Sequence, residues 1–92
     1  MGRLEEALEN QSQCIKITEK ILGSEHPNTA AGLQTLSGIL HGLGRHKEAL
    51  ENQQRSLKIN EKVFGPEHPK TAASFDNLSF ILISLGRREE AL

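Results

Sequence analysis

The 92-residue sequence has no tryptophan, no tyrosine and only three phenylalanines. Aromatic platforms on which nucleic-acid bases stack are therefore missing. No charge of either sign dominates: Lys plus Arg number 11, Asp plus Glu number 12, and the net charge is −1. Such a balance gives no electrostatic pull toward nucleic acid or an anionic membrane. The single cysteine, Cys14, cannot close an internal disulfide, which fits a reducing compartment. The longest apolar run is FILI at 80–83, far short of the ~20 residues that span a bilayer. The opening MGRLEEALEN has no apolar segment of a secretory signal, and Glu6 stands where N-myristoylation needs Ser or Thr. These absences predict a soluble, cytoplasmic chain with no nucleic-acid or membrane partner. Its length fits one small domain, near the size where a core only modestly outweighs chain entropy.

What is present is repetition. GRLEEAL at 2–8 returns as GRHKEAL at 44–50 and as GRREEAL at 86–92, so Gly2, Gly44 and Gly86 are spaced by 42. Sliding 2–43 onto 44–85 gives 24 identities in 42 positions, and ILGSEHPNTAA at 21–31 matches VFGPEHPKTAA at 63–73. A period between about 20 and 50 residues marks a solenoid of stacked supersecondary units. The predicted units are 2–43 and 44–85, with the start of a third at 86–92.

Each unit reads as two helices. Ala49/Leu50, Ser56/Leu57 and Val63/Phe64 recur every seven residues with charged and amide residues between them, as do Ala7/Leu8, Cys14/Ile15 and Ile21/Leu22. Gly23 and Gly65 follow as helix stops. The next helices open at HPNT and HPKT, where proline suits the first helical position. They carry Leu33, Leu36, Leu40 and Leu43 in one copy, and Phe75, Leu78, Leu82 and Leu85 in the other. Short turns make consecutive helices antiparallel. The pattern predicts helices over 3–22, 27–43, 46–64 and 69–85, a turn at Gly86, a helical stub from 87, and no sheet. The fold class is an all-α solenoid of antiparallel helix pairs. Small residues at Ala7, Cys14, Ala49, Ser56 and Ala91 are expected to let helices approach closely, which makes Cys14 a buried packing position.

Residues with chemical potential reduce to structure on inspection. Glu25-His26-Pro27 and Glu67-His68-Pro69 recur at the unit period, so the two histidines are one solenoid step apart, too far to share a metal at ~2 Å ligand distances. Shaping the loop and the following helix start is their expected role. His41 and His46 flank the GLGR corner with no third ligand near in sequence, and GLGRHK lacks the glycine and lysine spacing of a phosphate loop. The sequence predicts no catalytic residue, metal site or cofactor, and no enzyme.

TAASFDNLSFILISLGRREEAL resembles the tetratricopeptide repeat. Phe75, Leu78, Ser79, Leu82, Gly86 and Ala91 stand where that family places its aromatic, leucine, small, bulky, turn-glycine and small residues. Leu33, Leu36, Ser37, Leu40, Gly44, Ala49 and Ser56 do the same in the preceding copy. The 42-residue unit with a long second helix, and LG-x-E/D-H-P before the next, is similar to the repeats of kinesin light chains and related arrays. Leu4, His46 and Arg88 replace a common tyrosine, and Gln11 and Gln53 occupy a normally bulky apolar site. Less buried area, and so weaker interfaces, are expected at each step.

The resemblance implies a non-catalytic scaffold that binds partner proteins or peptides on a concave face. Carried over, that face includes Ala31, Gln34, Thr35, Gly38, His41 and Gly42 in one unit, and Ala73, Asp76, Asn77, Phe80, Ile83 and Ser84 in the next. Asn77 takes the place of an asparagine that clamps peptide backbone, with Thr35 at its earlier counterpart. No Lys or Arg falls on these positions, so a basic pocket is not expected. Phe80 and Ile83 read equally as groove anchors or as contacts to a neighbouring unit. The alternative is a structural or self-assembling repeat segment of a larger multidomain protein. Groove positions that differ between units (Gln34/Asp76, Gly38/Phe80, His41/Ile83) favour binding, because a rod needs regularity. The repeat also predicts a segment of a longer array, able to self-associate through uncapped ends.

Overall fold

A computed structural model describes residues 2–91, with side chains as far as Arg87. Four helices follow one another: α1 (Gly2–Leu22), α2 (Pro27–Gly42), α3 (His46–Phe64) and α4 (Pro69–Ala91). No strand occurs among the described residues. Each helix packs chiefly on the next, α1 on α2, α2 on α3 and α3 on α4, in a slab with principal extents of 40 × 32 × 15 Å.

The corner between α1 and α2 is built from backbone and three side-chain types, and it recurs between α3 and α4. Gly23 and Gly65 take φ of +99° and +90°, a region that favours glycine. Their amides donate to Glu19 and Glu61 carbonyls at 2.9 Å, which closes the last helical turn. His26 Nδ1 then accepts from Asn28 N at 3.0 Å, and His68 Nδ1 accepts from Lys70 N at 3.1 Å. Each histidine thus meets an orphan amide at the start of the next helix. Thr29 and Thr71, both fully buried, donate Oγ1 to Gly23 and Gly65 carbonyls at 2.8 Å. G-x-x-H-P-x-T is a self-satisfied helix corner, and its histidines are caps.

The corner between α2 and α3 differs. Gly44 has φ +79°; its amide reaches His41 O at 3.0 Å, and Arg45 N reaches Leu40 O at 2.8 Å. This paired pattern satisfies the last carbonyls of α2. Arg45 donates from Nε and Nη2 to Glu48 at 2.8 and 2.7 Å. These hydrogen bonds hold the Glu48 carboxyl below its usual range and the Arg45 guanidinium above its own.

At Gly86 the predicted turn is absent: α4 runs through it to Ala91. Gly44 turns because α3 folds back and buries Ala49 against Leu40. No described helix packs back on α4 beyond Gly86 to supply such burial, and helical hydrogen bonding continues there. The side chains of Arg88 and Ala91 lie outside the described residues.

Two apolar clusters form the core. Ile15, Ala30, Leu33 and Ile59 join α1, α2 and α3, and Leu40, Ala49 and Ile81 join α2, α3 and α4, with Leu36 touching both. Between them lies a polar seam. Ser37 Oγ donates to Ala49 O at 2.9 Å, and Ser56 Oγ to Ala30 O at 2.8 Å. The two amides expected to weaken the interfaces bind across helices instead. Gln11 Nε2 donates to Gly32 O at 3.1 Å, and Gln53 Nε2, fully buried, to Ser74 O at 3.3 Å. No buried side-chain nitrogen or oxygen among the described residues lacks a partner. Such satisfied bonds are worth about 1 kcal/mol each, whereas an orphaned partner costs about 1–3.

Cys14 is exposed, contrary to the packing role expected from its alignment with Ser56. Ser56 meets α2 on its outer side, while the same side of α1 faces no described helix.

Gly38 sits in the middle of α2, and a Cβ built there meets nothing within 4 Å. Gly38→Ala is expected to stabilise the fold by about 0.5–1 kcal/mol through reduced unfolded-state entropy. Gly32 is the control, because a Cβ there comes within 3.1 Å of Ile15 Cγ1. Urea melts in which Gly32→Ala gains as much as Gly38→Ala would contradict this account.

Candidate functional site

Between α2 and α4 runs a groove of about 620 Å³. Both walls are helical, so each presents one residue per turn or so. Ala31, Gln34, Thr35, Gly38 and His41 line it from α2, and Lys70, Ala73, Asn77, Phe80 and Ile81 from α4. Pro27 stands at the start of α2. Ser37, Gln53 and Asn60 form a polar floor, which Asn60 Nδ2 ties to Ser74 Oγ at 2.7 Å and Gln53 to the Ser74 carbonyl.

Of the residues named from sequence, Gln34, Thr35, His41, Asn77 and Phe80 are brought together here. Asp76 and Ile83 are not. They share an exposed stripe of α4 turned by about 100° from Asn77, away from α2. Their counterparts Gln34 and His41 line the groove because the same flank of α2 faces α4. Phe80 and Ile83 therefore do not line the groove together. Phe80 is exposed, with its ring edge on His41 at a centroid distance of 5.1 Å.

Lys70 corrects the expectation that no Lys or Arg reaches the groove. It is the third residue of HPKT and the second of α4, and its backbone amide is the one that His68 caps. Its ammonium lies 5.1 Å from the Phe64 ring centroid, and Phe64 stacks on His68 at 4.4 Å. No aspartate or glutamate lines the groove among the described residues, so its fixed charge is positive.

The other end is aromatic. His41 Nδ1 and His46 Nδ1 are 2.9 Å apart, so one ring donates and the other accepts. His41 thereby bridges His46 and Phe80. No group of three or more metal-ligating side chains occurs among the described residues.

Thr35 spends its hydroxyl on the Ala31 carbonyl at 3.2 Å. The amides of Gln34 and Asn77 make no hydrogen bond to another described residue. Donor and acceptor are thus both open on each wall, the requirement for binding an extended backbone. The floor residues Gln53 and Asn60 escaped sequence reasoning. Gln53 had a signal in NQ, which recurs at 10–11 and 52–53, but its burial depends on Ser74 from another helix.

A family model described as Tetratricopeptide repeat matches residues 1–62 and again 35–92, which together take in the whole chain. Comparison with curated proteins found no match. No described helix is long and apolar enough to cross a membrane.

Proposed function

The chain belongs to the tetratricopeptide repeat family, whose members are generally non-catalytic protein-interaction scaffolds, and on that footing we propose that it holds an extended partner segment in the groove between α2 and α4. The open amides of Gln34 and Asn77 on facing walls carry this reading. Lys70 and Phe80 are ten residues apart on α4, about 15 Å along the helix. Extended chain covers that distance in about four or five residues. The partner motif therefore has a carboxylate near Lys70 and an apolar side chain against Phe80 and His41. The proposal extends to the subclass, 42-residue units like those of kinesin light chains.

The test is fluorescence anisotropy with a labelled peptide chosen from a library on this chain. Phe80→Ser and Asn77→Ala are each expected to weaken binding about tenfold or more, a loss of about 1.4 kcal/mol. Both side chains lie outside the two core clusters, so thermal melts should barely move. Selected peptides whose affinity ignores both changes would place the binding surface elsewhere.

A further inference from the structure

The fold holds a template for a contact that its own outer faces repeat. On α2, Ala30 and Leu33 are buried between α1 and α3, Ser37 bonds α3, and Leu40 is buried with Ala49 of α3 and Ile81 of α4. Adding 42 gives Ala72, Phe75, Ser79 and Leu82 on α4, all exposed. On α3, the side meeting α2 consists of Ala49, Ser56 and Ile59. Subtracting 42 gives Ala7, Cys14 and Ile17 on α1, of which Cys14 and Ile17 are exposed. The contrast at equal positions is large: Leu33 is 1% exposed and Phe75 47%, Leu40 3% and Leu82 49%, Ile59 4% and Ile17 57%.

We propose that a second copy of this chain docks its α1 on the open face of α4, as α3 docks on α2, giving head-to-tail stacking. Three features support a second copy as the occupant. The faces match in type, since Ser79 copies the donor Ser37, and Ala7 copies Ala49, whose carbonyl accepts. Small Cys14 stands in for Ser56, which approaches Ala30 O at 2.8 Å, and so fits close to Ala72. Charges match as well. Lys62 Nζ bonds Glu25 at 2.6 Å inside the chain; the same step between copies brings Lys20 to Glu67, both exposed. The contact is heterologous, joining two different faces, so it does not close on itself and grows with concentration.

Sedimentation velocity under reducing conditions tests this with the full chain. The wild type should form a concentration-dependent series of species. Cys14→Arg blocks the α1 face and Ser79→Arg the α4 face, each at an exposed position. Each variant alone should be monomeric, because growth needs both faces of identical copies. Mixed together, they should form a 1:1 dimer and nothing larger, through the α4 face of the first and the α1 face of the second. A monomeric wild type at all attainable concentrations overturns the proposal. A variant that dimerises by itself also overturns it, since that needs one face pairing with itself. If an arginine variant loses helicity on circular dichroism, Lys20→Glu and Glu67→Lys replace the pair. Each alone should then associate more weakly than the wild type, and their mixture should recover association. Failure to recover overturns the proposal equally.

Discussion

Leu33→Ala is expected to lower the unfolding free energy by about 2–5 kcal/mol, the range for large-to-small changes in a packed core. Leu33 is among the largest fully buried side chains and lies where α1, α2 and α3 meet. Removing it leaves Ile15, Ala30 and Ile59 around a cavity. Those neighbours come from three helices held by the seam bonds of Ser56 and Gln11, so the gap cannot close freely. The matched comparison is Phe75→Ala, one unit later, at the corresponding position on α4. Phe75 belongs to neither cluster. At a concentration low enough to keep the chain monomeric, its loss should cost less than half as much. Urea midpoints at constant slope report both values. Equal costs at the two positions would mean that α4 is covered as fully as α2.

That pair shows what periodicity discloses. Leu33 and Phe75 are equivalent in every sequence pattern, including the one that places them on an apolar helical stripe. Whether the stripe is buried depends on a neighbouring helix, which the residues of the stripe do not encode. The same gap explains Cys14, whose alignment with Ser56 was sound and whose burial was not. Gly86 repeats the lesson for the backbone. Gly44 turns because α3 repays it with Ala49 and Leu50 on the core, and a glycine without that return remains helical.

Local chemistry was more legible. Three helices fall within a residue of their sequence-based bounds, and the fourth, expected over 69–85, starts at Pro69 but runs on to Ala91. His26 and His68 act within two residues of their own positions, so recurrence alone marks them as shaping the loop and the helix start, and the structure shows that they do so as caps. Gln53 could not be read that way. An amide at a bulky apolar site looks like a weakness until Ser74, 21 residues away, supplies the acceptor. The groove divides along the same line. The α2 wall was named from the helical face, whereas on α4 the useful flank is the one turned toward α2, which admits Lys70 and leaves out Asp76 and Ile83. Helical phase was right and the direction of the neighbour was the missing quantity.

Ala49→Phe should be the second severe change, costing about 1–3 kcal/mol or more through overpacking. Ala49 has no exposed surface and lies against Leu40 and Ile81, where α2, α3 and α4 converge. Its carbonyl also accepts from Ser37 Oγ at 2.9 Å, so the α2 and α3 backbones are tied at the point where the ring would enter. A phenyl group forces them apart and breaks that bond, leaving a buried hydroxyl without its acceptor. Ser37 and Ile81 line the groove, so the disturbance reaches the proposed binding site as well. The variant should therefore lose peptide affinity even at urea concentrations where it is still folded. Phe80→Ser, by contrast, should lose affinity with an unchanged melt. Ala7→Phe supplies the structural control: the equivalent site on α1 is only partly buried, and the expected cost is smaller. An unshifted urea midpoint for Ala49→Phe would show that α2 and α3 are not held in close contact at Ala49, and the groove would then lack a rigid floor.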